Sequence, residues 1–228
     1  MRTLAVLLLA AAVGCQSTVK APIRVRVASA IDLQKLRSFA ALPFVDESGR
    51  LPDAVLEEMT EMTRERIGRS ADASVVSGAF TRSMVAGEEL NAGDWADPDK
   101  ARAWADIFEV DALIVAQASY DTILDVQHQP VDRYSYAQQR IITEMETRIV
   151  RSHYFKLDIA VIDSESGEPI FRQSLTERYR EPHNALTAIA SEALSSTETA
   201  SQLGRRAVLK FIRAIAPHYE IEERTLAQ

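Results

Sequence analysis

Cysteine is nearly absent: Cys15 is the only one, so no disulfide can form within the chain and packing must stabilise whatever fold it adopts. Long hydrophobic runs are missing too. The apolar stretch at residues 4–13 falls well short of the ~20 residues that a membrane-crossing helix needs. Glycine and proline, at eight each, are scattered without forming a linker, and neither internal repeats nor low-complexity tracts occur. No Gly-x-Gly-x-x-Gly or Walker-type run is present, which excludes nucleotide binding by those routes. Basic residues are in deficit, 26 against 33 acidic ones, for a formal charge of -7. An acidic body is repelled by phosphate backbones and no basic aromatic stripe overrides that, so no nucleic-acid partner is expected.

What is present begins at the N-terminus. Arg2 precedes the short apolar run, and small residues close it, the layout of an export signal. Ala12-Val13-Gly14-Cys15 resembles the lipobox of bacterial lipoproteins, although Ala12 stands where that family usually has Leu. The resemblance implies removal of residues 1–14 and lipidation of Cys15, which would then be the chain's attachment to a membrane. The alternative is an ordinary secretory signal with Cys15 inside it or just beyond. Lipidation would remove an otherwise unpaired thiol, and two or more acyl chains, at about 0.8 kcal/mol per buried methylene, anchor a protein durably. Gln16 is not the Asp that retains many such lipoproteins in the inner membrane, so the resemblance implies the periplasmic face of the outer membrane. Loss of residues 1–14 leaves 214 residues with a charge of -8.

The reading that follows is a lipidated tether over 15–22 and a single α/β domain over 23–228, a mixed sheet flanked by helices. Residues 23–27 alternate apolar with Arg as a strand with one wet face does, and residues 36–44 have the apolar density of a buried strand stopped at Pro43. Residues 45–49 are turn chemistry. Pro52 and Asp53 open a helix on which Val55, Met59, Met62 and Arg66 recur at helical spacing, with Ile67 beside the last. A short strand is expected at 74–76 and a helix near 80–90. Asp97 caps a further helix over 98–108 that places Trp104, Ile107 and Phe108 on one side, with Trp104 and Phe108 expected to pack on the sheet. A buried strand starts at Val110 and runs toward Leu124, residues 128–150 are polar with a strand near their end, and residues 154–162 and 170–175 form a hairpin about a turn at 163–168. Beyond Pro182 the pattern is helical, and Leu203, Ala207, Phe211 and Ile215 make a core-facing stripe that Pro217 closes.

Candidate chemistry is sparse. Glu57, Glu58, Glu61 and Glu65 share a helix and could hold a metal, but a solvated face explains them better. His128, His153, His183 and His218 stand far apart and none has the helical spacing of a metalloprotease, so no metal site is expected. Ser17 and Lys20 satisfy the Ser-x-x-Lys pattern of penicillin-interacting enzymes, yet they lie in the tether and the companion motifs are missing. Asp121 and Asp125, evenly spaced on a strand, share a face and could do acid/base work, although a solvated strand end is the commoner cause. No catalytic residue and no cofactor is expected.

The lipobox, Ala40-Ala41-Leu42-Pro43-Phe44 with Asp46 following, Val110-Asp111-Ala112-Leu113-Ile114-Val115 and the turn at 161–168 together resemble one group of envelope lipoproteins. That group includes the curli-secretion protein CsgG, the penicillin-binding-protein activators and the N-terminal domain of TolB. The resemblance runs in order from Leu36 to Ile215. It implies an α/β sandwich and a role in binding other envelope proteins, with an oligomer left open. One departure concerns the curli pore, which inserts amphipathic hairpins into the membrane. Here the corresponding segment carries Arg133, Arg140, Glu144, Glu146, Arg148 and Arg151, while Ile141, Ile142 and Met145 do not supply the alternation of a lipid-facing strand. That speaks against a pore. A membrane-tethered hydrolase whose acids and histidines meet only in the fold is the remaining alternative.

Overall fold

The computed structural model describes residues 18–32, 35–71, 73–86, 97–181 and 196–227. They belong to two compact units: Ala30–Ala216, and the two chain ends, Met1–Ser29 with Pro217–Gln228.

In the larger unit a six-stranded mixed sheet carries helices on both faces, an α/β fold. Strand β2 (Ser38–Ala41) is its short parallel centre, next to β4 (Ser74–Val75) on one side and β5 (Ala112–Ser135) on the other. Its side chains are buried on both faces, which is why the sequence there reads as a continuous apolar run rather than an alternation. The last ladder bond is from the Leu42 N–H to the Ile114 carbonyl at 3.0 Å; Pro43 has no N–H to continue it. The chain then steps to β3 (Val45–Asp46), which pairs with β5 further along at Gln117 and Ala118. Of the strand expected over 36–44 only Ser38–Ala41 is regular, and the stretch expected to be a turn, 45–49, instead begins with a second short strand displaced along the same neighbour, because β5 runs past Pro43 and offers it a partner. Beyond β5 the sheet is antiparallel, through β6 (Arg140–Asp163) to β7 (Pro169–Arg180).

Helices α1 (Asp53–Ala71) and α4 (Ser196–Ile215) cover one face. Met59 and Ile67 from α1 and Leu203, Ala207 and Phe211 from α4 are almost fully buried against Ile114, Phe155, Leu157 and Ile159. Each large side chain buried in this way contributes about 1.5–3 kcal/mol. The two helices approach closely at Gly204, where an added Cβ would lie 2.3 Å from the sulfur of Met59. The other face holds a smaller core in which Phe108 and half-buried Trp104 of α3 (Pro98–Phe108) meet Leu42, Leu113 and Val115, whereas Ile107, grouped with them by spacing, is 44% exposed because it lies one position round the helix from Phe108. Asp97 caps α3 by accepting the Asp99 N–H, and α2 (Gly78–Val85) precedes it, narrower than the helix expected near 80–90, whose residues from 87 on lie outside the described ones. Ala-rich residues 182–195 also lie outside them, but α4 keeps the predicted stripe.

The smaller unit is a two-stranded antiparallel ribbon of β1 (Thr18–Val27) and β8 (His218–Ala227). The strand expected at 23–27 thus begins at Thr18, inside the segment read as tether, because a second strand that the sequence reading missed lies beside it along its whole length.

Candidate functional site

The largest departure from expectation lies at 128–150. Instead of a polar connection ending in a strand, β5 and β6 run on as one unbroken hairpin, paired without a register shift from Ala112↔Asp163 to Ser135↔Arg140. The sheet supports only its first half. Pairing of β3 with β5 ends at Asp46↔Ala118, and pairing of β7 with β6 ends at Ser152↔Arg180. Just beyond, Glu181 donates its N–H to the Arg151 carbonyl at 3.0 Å and Arg180 reaches Gln127 at 2.8 Å; from Asp125↔Val150 to Ser135↔Arg140, eleven pairs, no third strand pairs with the two among the described residues. At about 3.4 Å per residue that is a ribbon roughly 40 Å long.

Residues opposite each other in an antiparallel pair share a face, so the register sorts this ribbon into two sides. Leu124, Val126, Pro130 and Tyr134 of β5 fall on the same side as Ile141 and Met145 of β6. All are exposed, the large ones from 53% for Tyr134 to 68% for Ile141. Tyr136 at the tip is 88% exposed and stands edge-on to Tyr134 at 5.2 Å. Polar breaks on this side are tied to the partner strand: Thr143 donates to Asp132 at 2.7 Å, and His128 and Thr147 are 3.0 Å apart. The opposite side carries Asp125, Gln127, Gln129, Arg133, Arg140, Glu144, Glu146 and Arg148, interrupted by half-buried Val131 and Ile142, with Glu146 bridging Arg133 and Arg148 at 3.4 Å each.

A buried polar cluster pins the ribbon where it leaves the sheet. His153, only 2% exposed, lies between the rings of Tyr120 and Tyr179. Its Nδ1 is 2.6 Å from the Tyr120 hydroxyl and 3.2 Å from Thr122 Oγ1, and its Nε2 is 3.0 Å from Glu181 Oε1. Burial, helped by the Glu181 charge, holds the Tyr120 pKa above its ordinary value against the pull of Thr122 and Arg151. Tyr120 therefore stays a donor, and the set is satisfied with its O–H given to Nδ1 and the Nε2–H given to Glu181. Arg151 reaches the same carboxylate at 3.6 Å.

The residues singled out from sequence do not converge. Cys15, Ser17 and His183 lie outside the described residues. Lys20 and His218 are on the terminal ribbon, and His128 is on the projecting hairpin. Asp121 and Asp125 do share a face, but four residues of strand put them roughly 14 Å apart, beyond the span of paired catalytic carboxylates. Asp121 pairs with Arg50, and Asp125 accepts from Gln127 at 2.9 Å. The helical glutamates are neutralised one by one: Glu57 by Arg82, Glu58 by Arg205, Glu61 by Arg64 and Glu65 by Arg69. Among the described residues no cluster of three or more His, Cys, Asp or Glu is placed to hold a metal. A cleft of about 260 Å³ lies between Phe44, Leu56, Thr60, Arg64 and Arg82, but Glu61 and Glu57 already engage its arginines.

The sequence does carry a signal for the hairpin. It is the apolar pairs Leu124/Val126 and Ile141/Met145, each too interrupted to read as an alternation until the partner strand is set beside it.

No family model matches the chain, and no curated protein matches it. Solved structures with a similar fold include lipoprotein GNA1162 from Neisseria meningitidis, 17% identical over 67% of this chain and 90% of that one, with a TM-score of 0.40. A PelC dodecamer from Paraburkholderia phytofirmans is 9% identical over 85% of this chain and 98% of that one, TM-score 0.40. The C-terminal domain of LpoB from Salmonella enterica is 12% identical over 66% and 84%, TM-score 0.34. Similarity at this level says nothing of function.

Proposed function

We propose that this chain is a lipoprotein, held by acyl groups on Cys15 at the periplasmic face of the outer membrane, that works without catalysis as a docking module for proteins of envelope assembly or secretion. The observation that carries this reading is the hairpin, an exposed ribbon with one apolar side and two open edges. An isolated two-stranded ribbon is at best marginally stable in water, and exposed apolar area with unpaired strand edges is what protein partners cover. The helical glutamates, each paired with an arginine, and the separation of Asp121 from Asp125 support docking over hydrolysis.

A second reading, a subunit of a secretion pore, is favoured by the same register. With its apolar side toward lipid and its charged side toward a lumen, the hairpin has the two-sidedness of a barrel wall that the sequence alone did not reveal. In-cell crosslinking of the native chain and of a Cys15→Ser form separates these outcomes. Docking predicts a defined envelope protein crosslinked to the native chain and lost from the mislocalised one. A pore predicts self-crosslinked rings in detergent with conductance in bilayers. Absence of any partner, with turnover of an envelope polymer by the purified chain, would replace both by the hydrolase.

A further inference from the structure

Strand β7 closes one end of the six-stranded sheet, and among the described residues no strand pairs with its outer side. The backbone groups on that side follow from the pairing on the inner one. The Glu181 N–H donates to the Arg151 carbonyl at 3.0 Å, so by alternation the odd-numbered residues of β7 exchange their hydrogen bonds with β6. The even-numbered ones, over 172–180, turn their N–H and C=O groups outward. Those same residues carry the charge of one face. Arg172, Arg178 and Arg180 are exposed, and no even-numbered position of β7 holds an acid. None of the three makes an ion pair among the described residues: Arg178 lies 5.2 Å from the Tyr154 ring centre and donates to Ser152 at 3.3 Å, and Arg180 donates to Gln127 at 2.8 Å. Asp158, on this face of neighbouring β6, is held by Lys156 at 2.6 Å. On the other face Phe171, Leu175 and Tyr179 are partly buried against the core, and Glu177 is paired with Lys210 at 2.5 Å.

We propose that the outer edge of β7 docks an extended acidic segment of another protein, added as a further strand whose carboxylates face Arg172, Arg178 and Arg180. The opposite side of that strand, uncharged and apolar, continues the row of Phe171, Leu175 and Tyr179. This surface is separate from the apolar side of the hairpin and goes beyond the reading given above. An open edge is a template for a partner unless proline, a bulge or charge guards it. Strand β7 has no proline after Pro169, and its register shift against β6 lies at Val161/Ile162, so over 171–180 charge is the one of these guards present. Charge of one sign turns away only strands of that sign. A second β7 brings no carboxylate on this side, whereas a strand with acids at alternate positions sets them directly across from Arg178 and Arg180. A third acid, as far along as Arg172 lies from Arg178, completes the match.

The test uses the full chain in detergent and two fluorescent synthetic peptides of the length of β7, one alternating Glu with Val and the other Lys with Val, titrated by anisotropy. The unaltered chain is expected to bind the Glu peptide at least roughly tenfold more tightly than the Lys peptide. A variant carrying Arg172→Glu, Arg178→Glu and Arg180→Glu is expected to reverse that preference, which a misfolded chain could not do. Thr176→Pro removes one outward N–H and leaves the β6 ladder whole, so it is expected to weaken Glu-peptide binding roughly tenfold. Binding that survives Thr176→Pro unchanged would mean that the peptide lies across the arginines and not on the edge, and would overturn the proposal. So would an unaltered chain without preference for the Glu peptide, or a reversed variant that keeps it. Self-association of the unaltered chain that the arginine reversal abolishes would make a second copy the occupant and overturn it as well. The apolar side of the hairpin is intact in every variant, so failure here leaves the hairpin reading standing.

Discussion

Asp111 shows how one side chain fixes the sheet. Its carboxylate accepts from the backbone N–H of Arg37 at 2.7 Å and from the N–H and hydroxyl of Ser38 at 2.9 Å each, clamping the start of β2 to the start of β5. Burial works to raise its pKa, but these donors and the Arg37 charge outweigh burial and hold it below the ordinary carboxylate value. The stabilisation that goes with this shift is complete above the unfolded value of about 3.9 and disappears as pH falls through the lower folded one. Asp46 and Asp158 are depressed in the same direction and act over the same acid range. Replacing Asp111 by Ala strands three donors and is expected to cost about 1–3 kcal/mol. Asp111→Asn, which keeps an acceptor, should cost less and flatten the acid limb of stability. Denaturant unfolding from neutral pH down to acid measures both; an Asn variant with an unchanged acid limb would remove Asp111 from this role.

At the scale of elements the hairpin and the core are separable. The buried positions of β5 and β6 lie mainly at 112–120 and 150–162, and α1, α3 and α4 pack there. Replacing residues 126–149 by a two-residue turn is therefore expected to leave the melting temperature within a few degrees of the intact chain, because less than about 1 kcal/mol of core packing is touched. A collapse of the fold on shortening would show that the ribbon is structural. The same division sets what could be read from sequence. Where a strand or helix buries one consistent face, as Leu203 to Ile215 of α4 or Phe155 to Ile162 of β6 do, periodicity reports it, and these elements lie where the pattern puts them. Along 124–148 no core imposes a pattern on either strand, and the apolar side exists only as a property of the pair. Strand β8 escaped notice for a like reason: its residues 219–224 are all exposed, and β1 beside it supplies the pairing.

For the molecule as a whole, a single lipid attachment would fix where the chain acts, while no helix among the described residues is long and apolar enough to cross a membrane. Such an anchor leaves recognition to the exposed surfaces, among them the hairpin, whose apolar and charged sides are the two faces of one ribbon. That two-sidedness makes the docking claim testable at two positions of equal exposure class on the same ribbon: Met145 on the apolar side and Gln129 on the charged side. The direct measurement is a photoreactive side chain at each position in turn, activated in living cells of the native host, with the crosslinked products identified by mass. Docking through the apolar side predicts a discrete envelope-protein adduct from position 145, several-fold stronger than from position 129, and its disappearance when 126–149 is replaced by the short turn. Equal yields from both positions, or an adduct that survives removal of the hairpin, would contradict it.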